Sequence, residues 1–181
     1  MEVYFINVGQ GDATYIELVD GTNILIDAGV ANQGSTVVNY LKNQDKNIVI
    51  EYLIVTHHDA DNFGGMQQVF KDLNINNFYY PMYAPHDTQT WNNVLSLANA
   101  EGCNIYDAKS GTTLNIGGAA LKFVHLDKDY SDNNEESVVV LLDYLDTEML
   151  FTGDAESNTE SDMVNQNLVP DRKKVSIKQH H

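Results

Sequence analysis

The stretch of residues 52–65 constrains this chain more than any other. An apolar run at 52–55 ends abruptly in Thr-His-His-Asp-Ala-Asp-Asn, and a glycine pair follows shortly after. A buried strand that ends this way presents polar side chains at its carboxyl end, where α/β folds place functional sites. His57, Asp59 and Asp61 are spaced two apart, so an extended chain directs them to one side. Imidazole and carboxylate groups bind Zn, Mn or Fe, which predicts a metal site. The alternative is a polar strand-to-helix loop with an N-capping aspartate.

Composition limits the partners of the chain. Its 181 residues predict a single domain, residues 1–181, with a substantial core. The chain has 10 Lys and Arg against 26 Asp and Glu, a net charge of −16, so its surface should repel phosphate backbones. The single cysteine, Cys103, excludes an internal disulfide and is compatible with the reducing cytoplasm, although secretion with a cleaved leader stays open. No apolar run approaches ~18 residues, so no membrane span is predicted.

Periodicity predicts an α+β chain. A hairpin signal, Asp20-Gly21, joins two β-rich runs near the start, so the chain should begin as an antiparallel meander. Strands are predicted at 3–8, 13–19, 23–27, 52–55 and 77–80, and helices at 34–43, from the glycine pair to 73, around 91–101 and at 155–167. A second run of strands is predicted at 104–106, 113–116, 121–125, 137–143 and 148–152, with a last strand at 175–177.

Five motifs stand in order along nearly the whole chain. They are Val8-Gly9-Gln10-Gly11-Asp12-Ala13, Leu25-Ile26-Asp27-Ala28-Gly29, residues 56–65, Asn133-Asn134 before the apolar run 137–142, and Phe151-Thr152-Gly153-Asp154-Ala155-Glu156. Together they resemble the metallo-β-lactamase superfamily. The version with aspartate in the third place of the 56–65 motif resembles the hydrolase domain of the competence (ComEC-type) DNA-uptake channel proteins and its free-standing relatives.

The resemblance implies an αββα sandwich, two mixed sheets with helices outside. The chain ends at His180-His181, where relatives continue into further strands and helices, so we expect a C-terminally truncated domain with an incomplete second half. Such a domain would leave a strand edge exposed, which makes that edge a candidate homodimer interface.

The resemblance also implies the roles of individual site residues. His57 and Asp59 would bind one metal, Asp61 and position 62 the other, and Asp154 would bridge both. Either His180 or His181 would complete the second metal, and Asp61 and Asp154 are the expected catalytic residues. Asp12 and Asp27 are expected either to brace the metal ligands from behind or to stabilise their own turns.

Two departures from the family pattern bear on the metal. Asn62 stands where relatives have histidine, and Asn133 or Asn134 lies where a further histidine is expected. An amide oxygen is a poorer ligand than imidazole for Zn or Fe, so the second ion should bind weakly or be absent. The predicted cofactor is therefore one or two divalent ions, Zn or Mn.

The function implied is metal-dependent hydrolysis by an activated water, most directly of a phosphodiester in a small molecule or nucleic acid. Two alternatives stay open: a degenerate binding protein of the same fold, and a hydrolase of a small ester, lactone or thioester. Other residues also have two interpretations. His86 and His125 could approach the site or be ordinary loop and core histidines, and the aromatics around Tyr80 and Trp91 could stack on bases or pack a helix on a sheet.

Overall fold

The computed structural model describes residues 1–84, 87–169 and 175–177, and it confirms the predicted α+β class with two sheets and helices. The strands are β1 (Glu2–Phe5), β2 (Thr14–Glu17), β3 (Asn23–Ile26), β4 (Val49–Ile54), β5 (Asn74–Tyr80), β6 (Asn104–Asp107), β7 (Thr113–Ile116), β8 (Ala119–Phe123), β9 (Val140–Tyr144), β10 (Thr147–Phe151) and β11 (Val175–Ile177). The helices are α1 (Gly34–Gln44), α2 (Ala60–Phe63), α3 (Met66–Asp72), α4 (Gln89–Glu101) and α5 (Ser157–Asn165), with 3₁₀ turns at Ala31–Gln33 and Asn134–Glu136.

The first sheet has the strand order β1-β2-β3-β4-β5-β6. Its first three strands are antiparallel, as predicted, and the Asp20-Gly21 turn is closed by the Leu18 N–H bonding to the carbonyl of Thr22. The strand predicted at 104–106 is confirmed, but it belongs to the first sheet and not to the sheet of the strands that follow it. These residues form β6, which pairs in parallel with β5, because α4 provides the long crossover that parallel neighbours need.

The second sheet has the order β11-β10-β9-β8-β7 and is antiparallel except for the β10–β11 pair. β8 ends at Phe123, so His125 lies beyond the strand that it was expected to terminate. In the described chain, β1 and β6 are the edges of the first sheet, and β7 and β11 those of the second. Dimerisation through an edge stays a prediction.

Three apolar layers hold the two sheets and the helices together. Along β3, Leu25 faces the layer shared with α1, α3 and α4, whereas Ile24 and Ile26 face the second sheet, as the two-residue period of a strand requires. A third layer packs Met163 of α5 against the other face of the second sheet. The layer order is therefore helix, sheet, sheet, helix, as the sandwich prediction required. No helix in the described ranges is long and apolar enough to cross a membrane.

Three loops are joined by backbone bonds at one end of the first sheet. Gly29 N–H donates to the Asp12 carbonyl, and the Ala28 N–H donates to the Asn62 carbonyl. Gly11, at φ +90°, lies so close to the Asp61 carbonyl that an added Cβ would be 1.8 Å from its oxygen. Only glycine fits there, and its absence of a side chain brings the loop after β1 against the turn after β4.

Candidate metal centre

The candidate metal centre lies where carboxyl ends of strands from both sheets meet. His57 follows β4 of the first sheet, and Asp154 follows β10 of the second. The Val138 N–H donates to the Thr56 carbonyl at 2.7 Å and ties the two sheets together here. The buried His57 Nε2 is 3.9 Å from Asp59 Oδ2 and 3.7 Å from Asp154 Oδ2. The structure thus brings together one imidazole and two carboxylates from the predicted set.

A buried relay orients the His57 ring. The Thr56 hydroxyl donates to Asp27 Oδ2 at 2.6 Å, and its oxygen lies 3.0 Å from His57 Nδ1. Since that hydroxyl has only one proton to give, we assign Nδ1 as the donor to it, which leaves Nε2 unprotonated and able to accept. The Asn62 Nδ2 donor lies 3.2 Å from Nε2, and the two carboxylates lie slightly further away. The same arrangement fixes the tautomer of metal-binding histidines. This contact agrees with the bracing role expected for Asp27, whose backbone adopts the uncommon φ of +57° to make it.

Burial dominates the electrostatics of this relay. It raises the pKa of Asp27 well above its ordinary value, although the two hydrogen bonds from Thr56 act in the opposite direction. Burial also lowers the pKa of His57, and the nearby carboxylates, Asp154 and Asp59 foremost, oppose that shift. The net direction favours a neutral imidazole, which is the form that binds a metal.

The remaining acidic residues of the motif have amide partners. Asn133 Nδ2 donates to Asp59 Oδ1 at 2.7 Å, so the other oxygen of Asp59 is the one nearest His57. Gln10 Nε2 lies 3.4 Å from Asp61 Oδ2, a weak contact from the loop after β1. Gln10 and Thr56 were not predicted as site residues, although both belong to the quoted motifs. Asn133 was noted only as a place where histidine was expected.

Asn62 uses both ends of its amide inside the protein. Its Oδ1 accepts the Asp12 N–H at 2.9 Å, and its Nδ2 lies 3.2 Å from His57 Nε2. The amide therefore presents its donor side to the imidazole, and its oxygen is already shared with the backbone. A metal-ligand role for Asn62 stays a prediction.

Several other predicted residues lie elsewhere or outside the described chain. His86, His180 and His181 fall outside the described residues. His125 stacks on Tyr83 at 5.4 Å, and its Nε2 is 3.5 Å from Asp127 Oδ1. Burial lowers the pKa of His125 to about 4, so it is a core histidine that is neutral near pH 7 and lies beside Asp127.

The aromatic residues near α4 pack the helix against the sheet. The Trp91 ring contacts His58 edge-on at 4.4 Å and Tyr80 at 4.9 Å, and Trp91 is buried. His58 thus points toward the helices, on the other side from its neighbour His57. Tyr79 stacks on Tyr106 instead. This arrangement favours the packing interpretation over a base-stacking surface for Trp91.

The distances in the cluster are slightly longer than those between the ligands of a bound metal ion. Across residues 1–84, 87–169 and 175–177, no three His, Cys, Asp and Glu side chains are set to hold an ion. Two ligands of one tetrahedral ion lie about 3.4 Å apart, which follows from bonds of about 2.1 Å. The two distances from His57 Nε2, 3.7 and 3.9 Å, exceed that by only a few tenths of an ångström. One unprotonated imidazole nitrogen and two carboxylates at these separations are a donor set that fits a divalent metal.

A two-sheet sandwich with a histidine and carboxylate cluster between its strand ends defines the class of protein. A family model for the metallo-β-lactamase superfamily matches residues 6–178, and the chain belongs to that superfamily. The members of this superfamily are generally metal-dependent hydrolases with one or two metal ions.

The proteins that this chain is similar to carry names that describe different activities. It is 25% identical over 135 residues to the hydroxyacylglutathione hydrolase of Xylella fastidiosa, which is 75% of this chain and 41% of that protein. A metallo-β-lactamase with a HARLDQ motif from Cronobacter sakazakii superposes with a TM-score of 0.55 at 14% identity, over 82% of this chain and 60% of that one. The diiron β-hydroxylase CmlA of Streptomyces venezuelae superposes with a TM-score of 0.57 at 16% sequence identity, over 91% of this chain and 32% of that one. These structural likenesses show the fold alone.

Proposed function

We propose that this protein is a metal-dependent hydrolase whose ion is held first by His57, Asp59 and Asp154. One observation carries the proposal: the Asp27–Thr56–His57 relay leaves His57 Nε2 unprotonated, with two carboxylate oxygens 3.9 and 3.7 Å from it. Packing alone does not require a hydrogen-bonded partner at Nδ1 of a buried imidazole together with two carboxylates near its Nε2. A metal-binding histidine uses both, because the partner at Nδ1 orients the ring and Nε2 binds the ion.

Each residue has a defined task in the proposed reaction. A divalent metal in this site would lower the pKa of a coordinated water toward neutrality and stabilise negative charge that develops on the substrate. Asp61 would accept the proton that such a water gives up, and Gln10 Nε2 lies 3.4 Å from its Oδ2, a weak contact. Asp154 enters from the second sheet, so the site works only while the two sheets are docked.

The ligand set favours one ion and a hard metal. A single described imidazole with several carboxylates is a harder donor set than a histidine cluster, which suits Mn more than it suits Zn. The Asn62 oxygen already accepts the Asp12 N–H, so it should contribute little to the binding of a second ion. His180 or His181 as ligands of a second ion belong to the same proposal and await a direct test.

The leading substrate is a phosphodiester of a small molecule. The resemblance to the competence-type hydrolases supports the phosphodiester, and the net charge of −16 argues against a long nucleic acid duplex. The second candidate is a thioester, which the hydroxyacylglutathione hydrolase relatives favour. The chain spans 41% of those relatives, so their substrate is a proposal for this chain.

The decisive experiment is a metal-reconstituted substrate panel. Apo-protein loaded separately with Mn²⁺ and Zn²⁺ is assayed on bis-p-nitrophenyl phosphate, p-nitrophenyl acetate and a hydroxyacylglutathione. Asp154→Asn is the test variant, and Asp143→Asn, an exposed aspartate of β9, is its matched control. We expect phosphodiester turnover that requires metal, survives in the control and falls at least 100-fold in the test variant.

The other outcomes separate the alternatives. Metal-dependent turnover of the thioester alone would assign the second candidate. Metal binding without turnover of any substrate would support a non-catalytic binding protein. A protein that binds neither metal would refute the proposal altogether.

A further inference from the structure

We infer that Asn133 is a positioning residue of the metal site, which acts by restraining Asp59 so that one chosen carboxylate oxygen faces the ion. The inference rests on the proposed function, because it concerns the same site. It assigns a role to a residue at which the family pattern leads one to expect a ligand.

The hydrogen bond between Asn133 and Asp59 is short, and it joins residues that are far apart in the sequence. Asn133 Nδ2 lies 2.7 Å from Asp59 Oδ1, across 74 residues of sequence. Asp59 has a side chain that is 38% exposed, so it would otherwise be able to rotate in solvent. With Oδ1 held by the amide, Oδ2 is the oxygen that lies 3.9 Å from His57 Nε2. The amide thus selects which oxygen of Asp59 is available and limits it to single-oxygen binding.

The segment that carries Asn133 is anchored at two places. Glu135 accepts the backbone N–H groups of Asn158 and Thr159, which fixes the 3₁₀ turn to the start of α5. The Tyr83 hydroxyl donates to the Glu136 carbonyl at 2.7 Å. Asn133 precedes this turn, and its side chain makes no capping bond there. Its amide is therefore free to serve Asp59 while its backbone is held in place.

A neighbouring asparagine offers a matched control. Asn134 is half-buried like Asn133 and lies in the same turn, but its Nδ2 donates to Glu156 Oε1 at 3.2 Å. Leucine at either position has nearly the same size and cannot donate a hydrogen bond. Because neither side chain caps the turn, both variants should fold.

The test uses Co²⁺ as the probe, titrated into the apo-forms of the wild type, Asn133→Leu and Asn134→Leu. Calorimetry gives affinity and stoichiometry, and the visible d–d absorption reports coordination number. We expect Asn133→Leu to bind Co²⁺ about 10-fold more weakly, the lower end of the range for residues that hold metal ligands. Asn134→Leu should stay within about twofold. The freed Oδ1 should also let Asp59 bind through both oxygens, which raises the coordination number and lowers the d–d intensity in Asn133→Leu alone.

Each other outcome has a defined meaning. Equal affinities and spectra for the two leucine variants would overturn the inference. So would an Asn133→His variant that binds an additional equivalent of Co²⁺, because position 133 would then face the metals directly. If Asn133→Leu does not fold by circular dichroism, Asn133→Gln, which moves the donor by one methylene, replaces it with the same expected direction. A wild type that binds no Co²⁺ would refute the proposed function rather than this step alone.

Discussion

The Asp27–Thr56–His57 relay predicts the consequence of one small substitution, Thr56→Val. Valine keeps the shape of the side chain but removes the hydroxyl that donates to Asp27 Oδ2 at 2.6 Å and accepts from His57 Nδ1 at 3.0 Å. Asp27 keeps only the Thr56 backbone N–H at 2.9 Å. Leaving such buried groups unsatisfied costs about 1–3 kcal/mol. We therefore expect the free energy of unfolding to fall by about 2 kcal/mol.

The same substitution should weaken metal binding. With Nδ1 released, the His57 ring can rotate and change tautomer, and the loss of such a partner typically reduces metal affinity about 10-fold or more. Urea unfolding of the apo-protein measures the first effect, and calorimetric titration with Mn²⁺ measures the second.

Thr159→Val is the control for this prediction. Thr56 and Thr159 are both 1% exposed, and the Thr159 hydroxyl donates to the Glu135 carbonyl, which is not among the proposed metal ligands. The control should lose about 1 kcal/mol of stability, the value of an ordinary hydrogen bond. It should keep its metal affinity, because the backbone N–H groups of Asn158 and Thr159 still hold the Glu135 carboxylate and the segment that carries Asn133. If both variants bound Mn²⁺ with wild-type affinity, the relay would have no part in orienting a ligand.

Three further predictions concern the site and the core. Asp154→Ala should lower metal content measured by elemental analysis, because it removes the carboxylate from the second sheet; unchanged content would exclude Asp154 as a ligand. Asn62→His should add a second equivalent of metal in a calorimetric titration, and unchanged stoichiometry in a folded variant would mean that position 62 does not face the ions. His125, with its pKa lowered from 6.5 to about 4, binds fewer protons in the folded than in the unfolded state, so acidification through that window favours unfolding. Relative to His125→Phe, the wild type should lose about 3 kcal/mol between those pH values in urea titrations, and parallel curves would contradict this.

Helices and strands were predicted best where the sequence signal lies within the element itself. α4 is an example: Trp91, Val94 and Ala98 recur at helical spacing, and Gly102 ends the helix in the left-handed conformation at φ +81°. The meander at the start of the chain is another, because the Asp20-Gly21 turn is a local signal. Strand boundaries differ from the predicted ones by at most three residues, and those of β7 and β11 match them. The differences arise because a strand ends where its partner in the sheet ends.

The sequence by itself determined the composition of the candidate site. The motif at 56–65 and Asp154 supply the histidine and the carboxylates that the structure brings together, and the ordered motifs were sufficient to predict the sandwich. The fold inference succeeds because it depends on residue types and on spacing within single segments, whereas the metal-ligand roles stay predictions.

Only the tertiary structure decided which side chains meet. It placed β6 in the first sheet, directed His58 away from His57, and paired His125 with Asp127. It also joined Asn133 to Asp59, across 74 residues. No local pattern specifies such contacts, because they depend on how the two sheets dock and on which loop ends then lie within hydrogen-bonding distance.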